Sequence, residues 1–230
     1  MSKKISIVIP IHNESLNIFD LIKEIYFNLE GKFIYEIIII DDGSTDNFIK
    51  LFEKSEFKKN IFIIKNNSKM GQSKCIYLGV HKANFENIVT LDGDGQNNPK
   101  DISKIADLYF DLGYDLVGGI RHKRKDNLTK IISSKIANSF RDYIFKDNCK
   151  DTGCSLKIFN KNTFIKIPYF SGMHRFLPAL FSGMNKKTKY VNVDHRPRKF
   201  GNSNYDTIGR LIRGIIDLFK VFFIIRNLNK

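Results

Sequence analysis

Two aspartates one residue apart, Asp92 and Asp94, close an apolar run at 88–91, with Gly93 between them and Gly95 after. Glycine lets the backbone approach a ligand closely, so both carboxylates can aim at one point. Hard divalent cations take oxygen ligands, and Mg2+ is typically held by one or two carboxylates together with substrate phosphates. The chemistry this spacing predicts is metal-assisted handling of a phosphate group. A polar turn capping the next helix accounts for the same residues without chemistry, because Asp-Gly pairs are common in turns. An EF-hand does not fit, since the bidentate Glu at the twelfth loop position is missing. A second cluster, Asp41-Asp42-Gly43-Ser44-Thr45-Asp46, follows the apolar run 37–40. By itself the cluster reads as structural, with Ser44 or Asp46 as a helix cap; its carboxylates also suit a nucleobase N–H or ribose hydroxyls.

Clusters of this kind need a scaffold that ends several strands at one edge. Continuous apolar runs at 5–9, 37–40, 61–64, 88–91 and 116–117 read as strands buried on both faces of a parallel sheet. Helical spacing lies between them. Residues 15–29 carry Leu16, Phe19, Ile22, Ile25, Tyr26 and Leu29 at intervals of three and four, and Gly31 stops the run. Further helices are expected at 71–84 and at 99–112, the latter with Asn98 as cap, Pro99 at the first helical position and Gly113 at the end. This alternation predicts an α/β domain with a mostly parallel central sheet flanked by helices. Beyond residue 120 the pattern becomes a basic loop at 121–125, a helix at 128–145, a strand at 156–159, a helix at 174–182 and a strand at 189–193. The tail from Tyr205 reads as one amphipathic helix, with Ile208, Leu211, Ile212, Ile215, Ile216 and Phe219 on one side. The expected division is a catalytic domain at 1–204 and a C-terminal helix at 205–230.

The chain has 38 Lys and Arg against 24 Asp and Glu, a formal charge of +14, so its surface attracts polyanions. Nucleic acid is disfavoured as the partner: no zinc finger, RNA-recognition signature or helix-turn-helix pattern accompanies the charge, and the acidic strand ends would repel a polyanion. Cys75, Cys149 and Cys154 lack paired spacing and read as free thiols. The apolar run near Met1 is too short for a signal sequence, and no stretch reaches the roughly 18 to 20 apolar residues needed to span a bilayer. The expectation is a cytoplasmic protein, peripheral on the cytoplasmic face of a membrane if its tail binds there.

Together, Val8-Ile-Pro-Ile-His-Asn-Glu14, Asp41-Asp-Gly-Ser-Thr-Asp46, Gly71-Gln-Ser with Gly79, and Thr90-Leu-Asp-Gly-Asp-Gly-Gln-Asn-Asn-Pro99 resemble glycosyltransferase family 2, with its GT-A fold. Gln96 after the aspartates, the segment Asp151-Thr-Gly-Cys-Ser-Leu156 and the basic stretch 195–203 are similar to the branch of dolichol-phosphate mannose synthase and bacterial polyprenyl-phosphate glycosyltransferases. The resemblance implies a nucleoside pocket of Pro10, Glu14, Ile40 and Asp42. It implies that Asp92, Gly93, Asp94 and Gln96 bind the diphosphate, with Asp92, Asp94 and Gln96 on Mg2+ or Mn2+. Arg121 would stand beside the sugar or acceptor phosphate, and Arg196, Arg198 and Ser203 in a loop over the phosphates; as bare residues these arginines also read as solvated surface charges.

The implied reaction moves a sugar from a nucleotide-sugar donor, GDP-mannose or UDP-hexose, to a polyprenyl phosphate. Where family members often carry an acidic base, this chain reads Gly172-Met-His-Arg-Phe-Leu-Pro178. That departure suits a phosphate acceptor, already ionised, with His174 and Arg175 as phosphate contacts; His174 as a base or as a structural helix-start residue stays open. The alternative is a family 2 enzyme acting on a sugar hydroxyl of a glycolipid, polysaccharide or glycoprotein. An inactive relative is disfavoured by the intact Asp92, Asp94 and Gln96. The amphipathic tail leaves three partners open: an anionic membrane surface, a small membrane protein, or a second copy of the chain in a homodimer.

Overall fold

The computed structural model describes residues 3–57, 59–121, 141–200 and 207–228; within the last segment, 207–213 and 215 are described by backbone alone. The chain runs β1 (Lys4–Ile11), α1 (Ser15–Leu29), β2 (Ile34–Asp41), α2 (Phe48–Glu53), β3 (Ile61–Lys65), α3 (Gln72–Lys82), β4 (Asn87–Thr90), α4 (Lys100–Leu112) and β5 (Leu116–Arg121). After a helical stretch at 141–145 come β6 (Lys157–Asn160), α5 (Lys161–Phe164), a 3-10 turn (Met173–Arg175), α6 (Leu177–Gly183), β7 (Thr188–Val193) and α7 (Thr207–Leu228). The expected helix at 128–145 and the basic loop after Arg121 otherwise lie outside the described residues.

One seven-stranded sheet orders these strands β3-β2-β1-β4-β6-β5-β7. All neighbours are parallel except β6, which runs antiparallel to both β4 and β5. Alternation along each strand sends side chains to two cores. Ile5, Ile7, Ile9, Ile37 and Ile39 face α1 and α4. Val8, Ile38, Ile40 and Phe159 face α3, α5, α6 and Val221 of α7. Strands apolar on both faces are what such a two-sided sheet requires, which is why the sequence runs are continuous rather than alternating.

Helix ends follow local chemistry. Asn98 Oδ1 accepts the Lys100 N–H at 3.1 Å at the start of α4, and Gly113 closes it in the left-handed region at φ +64°. Asp46 serves two helices: one carboxylate oxygen takes the Ser15 N–H of α1 at 2.9 Å, the other the Phe48 N–H of α2 at 3.3 Å. Two short helices, α2 and α5, carry too few residues to show a helical period in the sequence.

The strand order places the functional edge. The chain moves outward from β1 to β2 and β3, then returns to the other side of β1 as β4. At such a switch point the connections leave in opposite directions and open a crevice at the carboxyl ends of the strands. Asp92 follows β4 at this point, with the end of β1 beside it. Because β6 is antiparallel, the segment 151–156 that leads into it also lies on this edge.

Among the described residues no helix is long and apolar enough to cross a membrane. All three cysteines are buried free thiols.

Candidate active site

At the β1 and β2 ends, two polar loops are laced together. Asn13, at φ +58°, accepts the Thr45 N–H on its side-chain oxygen at 2.8 Å, and Ser44 Oγ takes the Asn13 N–H at 2.9 Å. His12 Nδ1 lies 2.9 Å from the Asp42 carbonyl. The Asp42 carboxylate is buried and accepts from Met70 N–H at 2.7 Å, Gly71 N–H at 2.8 Å and the Asn66 amide at 3.2 Å, with the Cys75 thiol as a further donor. Burial alone would raise its pKa, but these donors outweigh burial and hold it below the ordinary carboxylate value.

Asp92 has a different environment. It keeps part of its surface exposed, yet atoms crowd round its carboxyl, and Oδ1 accepts the Gln72 amide at 2.6 Å. Burial first, then the charge of Asp94, pushes its pKa up to about 6, against the opposing pull of the Ser155 hydroxyl, Lys157 and Arg121. Asp94 Oδ1 takes the Gln96 N–H at 3.1 Å, which curls the turn. The turn presses on β1: a Cβ on Gly93 would come within 2.5 Å of Ile11 Cγ2, so only glycine fits there.

The guanidinium of Arg121 is committed. It grips Asp151 through Nε and Nη2, both at 2.7 Å, and the Arg121 backbone N–H bonds the same carboxylate at 3.1 Å. Burial works against the charged guanidinium, but the bond to Asp151 and its charge hold its pKa above the ordinary value. Lys157, buried, donates its ammonium to the Cys154 carbonyl and steadies the same segment. Arg121 therefore reaches the strand edge as half of an ion pair.

The 195–200 segment lies across α1. Arg196 bonds Glu24 in a two-pronged pair at 2.8 and 3.0 Å, Arg198 pairs with Glu14, and Lys199 meets Asp20 at 3.0 Å. Asn17 completes Glu14 with an amide bond at 2.7 Å. Gln96 contributes its own amide to the Arg196 carbonyl at 3.2 Å, and its carbonyl accepts the Arg196 N–H at 2.9 Å. Asp94, Arg196, Lys199 and α1 line a small cleft here. Ser203 lies outside the described residues.

On the opposite side, His174 and Arg175 sit in the 3-10 turn. His174 Nδ1 is 2.6 Å from Ser73 Oγ, which also accepts the Gly172 N–H at 2.8 Å. Arg175 bonds Asp217 of α7 at 3.1 Å. Gly172, at φ +94°, has no room for a side chain, because a Cβ would lie 2.6 Å from Asp217 Oδ2. The C-terminal helix is thus anchored beside the turn that carries His174.

The strand-end edge gathers Pro10, Ile40 and Asp42 on one flank and Asp92, Gly93, Asp94 and Gln96 at the switch point. Arg121 comes through Asp151, Arg196 through Glu24 of α1 and Arg198 through Glu14 just before it. The residues that sequence reasoning gave no role are Gln72, Ser73, Asp151, Ser155 and Lys157. Gln72, Ser73, Asp151 and Ser155 stand in segments that carry the family resemblance, but their partners lie far along the chain: Asp92 20 positions from Gln72, His174 101 from Ser73 and Arg121 30 from Asp151.

Among the described residues no group of three or more His, Cys, Asp or Glu could hold a metal. The donor set instead offers two adjacent carboxylates whose mutual repulsion no ion pair among the described residues relieves. This is the chemistry that suits Mg2+ or Mn2+ shared with substrate phosphates rather than caged by protein.

A mixed sheet with acidic turns at its switch point defines the nucleotide-diphospho-sugar transferase class of fold. Solved structures share it. Glucosyl-3-phosphoglycerate synthase from Mycobacterium tuberculosis, with phosphoglyceric acid bound, superposes with a TM-score of 0.71 at 16% identity, covering 96% of this chain and 81% of that one. Mannosyl-3-phosphoglycerate synthase from Rubrobacter xylanophilus gives 0.72 at 12% identity, covering 95% and 73%. The Mycobacterium enzyme was also solved with Mn2+, uridine diphosphate and glucosyl-3-phosphoglycerate, at a TM-score of 0.67, 16% identity and coverage of 95% and 78%.

The family model described as Glycosyl transferase family 2 matches residues 6–177, and the chain belongs to that family. Undecaprenyl-phosphate 4-deoxy-4-formamido-L-arabinose transferase of Yersinia pestis is 32% identical over 221 residues, 94% of this chain and 66% of the relative. The same-named protein of Pectobacterium carotovorum is 32% identical over 220 residues with the same coverage. The chain thus spans 66% of the length of these relatives.

Proposed function

We propose that the protein transfers a sugar from a nucleotide-sugar donor, GDP-mannose or a UDP-hexose, to a polyprenyl phosphate. The observation that carries this reading is the pair Asp92 and Asp94 at the β1/β4 switch point, where burial and the Asp94 charge raise the pKa of Asp92. Relatives named for undecaprenyl phosphate support the acceptor, and a solved neighbour with Mn2+ and uridine diphosphate bound supports the donor side.

In this reading Asp92 and Asp94, with Gln96 beside them, hold Mg2+ or Mn2+ against the donor diphosphate. Such a cation supplies Lewis-acid stabilisation of the charge that develops on the leaving diphosphate. Pro10, Glu14, Ile40 and Asp42 line the nucleoside side. Arg121, oriented by Asp151, adds fixed positive potential near the reacting centre. Arg196, Arg198 and Ser203 serve the phosphates, the two arginines exchanging their α1 partners for them. A lipid phosphate is ionised at neutral pH and needs positioning, which His174 and Arg175 provide from the 3-10 turn. The carboxylate in contact with that turn, Asp217, is tied to Arg175 and is not presented as a base.

The C-terminal helix supports a peripheral membrane location on the cytoplasmic face. One face, with Asp217 and Val221, packs on the domain, while Ile216, Phe219, Phe222 and Phe223 are about half or more exposed on the other. Exposed Lys220 and Arg226 flank that stripe, the arrangement that binds an anionic lipid interface. We assign residues 1–204 to catalysis and 205–230 to this attachment.

A sugar-hydroxyl acceptor is the second reading, favoured by the bond between Ser73 Oγ and His174 Nδ1, which orients an imidazole as a base would be oriented. The deciding experiment supplies labelled nucleotide sugars, Mn2+ and either undecaprenyl phosphate or a glycolipid. Label in a lipid product cleaved by mild acid is expected; label only in an acid-stable glycoside sinks the phosphate-acceptor reading.

A further inference from the structure

The entry to α3 touches three parts of the strand-end edge within four residues. Met70 and Gly71 give their N–H groups to Asp42, Gln72 gives its amide to Asp92, and Ser73 joins Gly172 and His174. We propose that Gln72 is a positioning residue, whose carboxamide fixes the Asp92 carboxylate in the orientation from which it binds the divalent cation.

An aspartate carboxylate turns readily about its last torsion, and a 2.6 Å bond to Oδ1 pins its plane. Beyond this bond and that of the Ser155 hydroxyl, the carboxylate keeps lone pairs for a cation. The donor's neutrality matters as much as its position. A lysine or arginine at the same place would orient Asp92 but also cancel its charge and oppose the metal. An amide orients without neutralising, as outer partners of metal-binding carboxylates do. Helix capping does not account for the contact: α3 starts after Gly71 with no side-chain cap, and the Gln72 amide turns to Asp92 instead.

The inference rests on the metal reading of Asp92 and Asp94, and the test separates the two. Mn2+ alone is titrated into the full chain, with free Mn2+ followed by electron paramagnetic resonance, for wild type, Asp92→Ala and Gln72→Met. Methionine keeps the length of Gln72 and removes its donor. Gln72→Met is expected to weaken Mn2+ binding about tenfold, the low end of the range for outer-sphere partners, with little change in the metal-free melting temperature. In sugar transfer, the Mn2+ concentration giving half-maximal rate should rise by a similar factor while the plateau returns toward wild type. Should Gln72→Met lose its fold, Gln72→Asn, one methylene short, carries the same comparison. Equal Mn2+ affinity in wild type and Gln72→Met, with binding lost in Asp92→Ala, overturns the role of Gln72 and leaves the metal reading standing. A wild type that takes up no Mn2+ overturns both.

Discussion

Asp42 and Asp92 occupy equivalent places, each just past the carboxyl end of a parallel strand, and their environments drive them in opposite directions. Asp42 is buried among donors from Met70, Gly71, Asn66 and Cys75 that overcome the cost of burial, so it stays charged readily. Asp92 has the Gln72 amide and the Ser155 hydroxyl, with Lys157 and Arg121 further off, and burial and the neighbouring Asp94 still push its pKa up to about 6. The difference teaches what each carboxylate does. Asp42 closes an internal network that holds the 66–71 loop to β2. Asp92 is held ready for positive charge that the chain itself does not bring to it in a paired form.

The largest effect should fall on the Asp92 side. Asp94→Ala removes half of the proposed cation site, and Lewis-acid stabilisation of a leaving diphosphate is worth several kcal/mol. We expect kcat for sugar transfer to fall at least about 100-fold while the metal-free melting curve hardly moves. Retained activity would place the chemistry elsewhere on the edge.

The Asp42 side should respond in stability. Asp42→Ala leaves the Met70 and Gly71 N–H groups and the Asn66 amide without their acceptor. A cost of about 2 kcal/mol is expected from lost bonds to a charged group, measured by urea unfolding at pH 7. Because the folded pKa of Asp42 is lowered, its contribution is present above its unfolded value and lost as pH falls through the folded one. The gap between wild type and Asp42→Ala should therefore narrow in acid. A gap that does not depend on pH would mean that the network works without the charge.

The third comparison reverses that sign. A carboxyl whose pKa is raised on folding adds stability below its unfolded pKa, near 4, and loses that stability as pH rises through about 6. Without metal, wild type should therefore weaken relative to Asp92→Asn between pH 4 and pH 7. Each tenfold difference in proton affinity between the folded and unfolded chain is worth at most about 1.4 kcal/mol. Mn2+ should restore wild type and do nothing for Asp92→Asn. Parallel pH curves for the two proteins would show that Asp92 is not short of positive charge.

These outcomes bear on residues that were readable to very different degrees. The strands were legible because a sheet covered on both faces demands unbroken apolar runs, and α1 and α4 because a helix against a sheet must repeat its apolar positions every three or four residues. Asp92 and Asp94 stood out because two carboxylates and two glycines share four positions; alone they read equally as a polar turn, and the motifs around them, which resemble family 2, decided between the two. The short helices α2 and α5 escaped, having under two turns in which to show a period. So did the antiparallel direction of β6, since a buried strand reads the same either way along the chain.

Acidic turns after apolar runs and an excess of basic residues were fixed along the chain. Local composition decides those features, and no folding is needed to see them. Tertiary structure alone decided the partnerships. Arg121 belongs with Asp151, Arg196 with Glu24, Gln72 with Asp92 and Arg175 with Asp217 of the last helix. Each pair joins residues 20 to 172 positions apart. Whether a charge is matched or left wanting depends on what the strand order brings within 3 Å, and no window along the chain contains that distance.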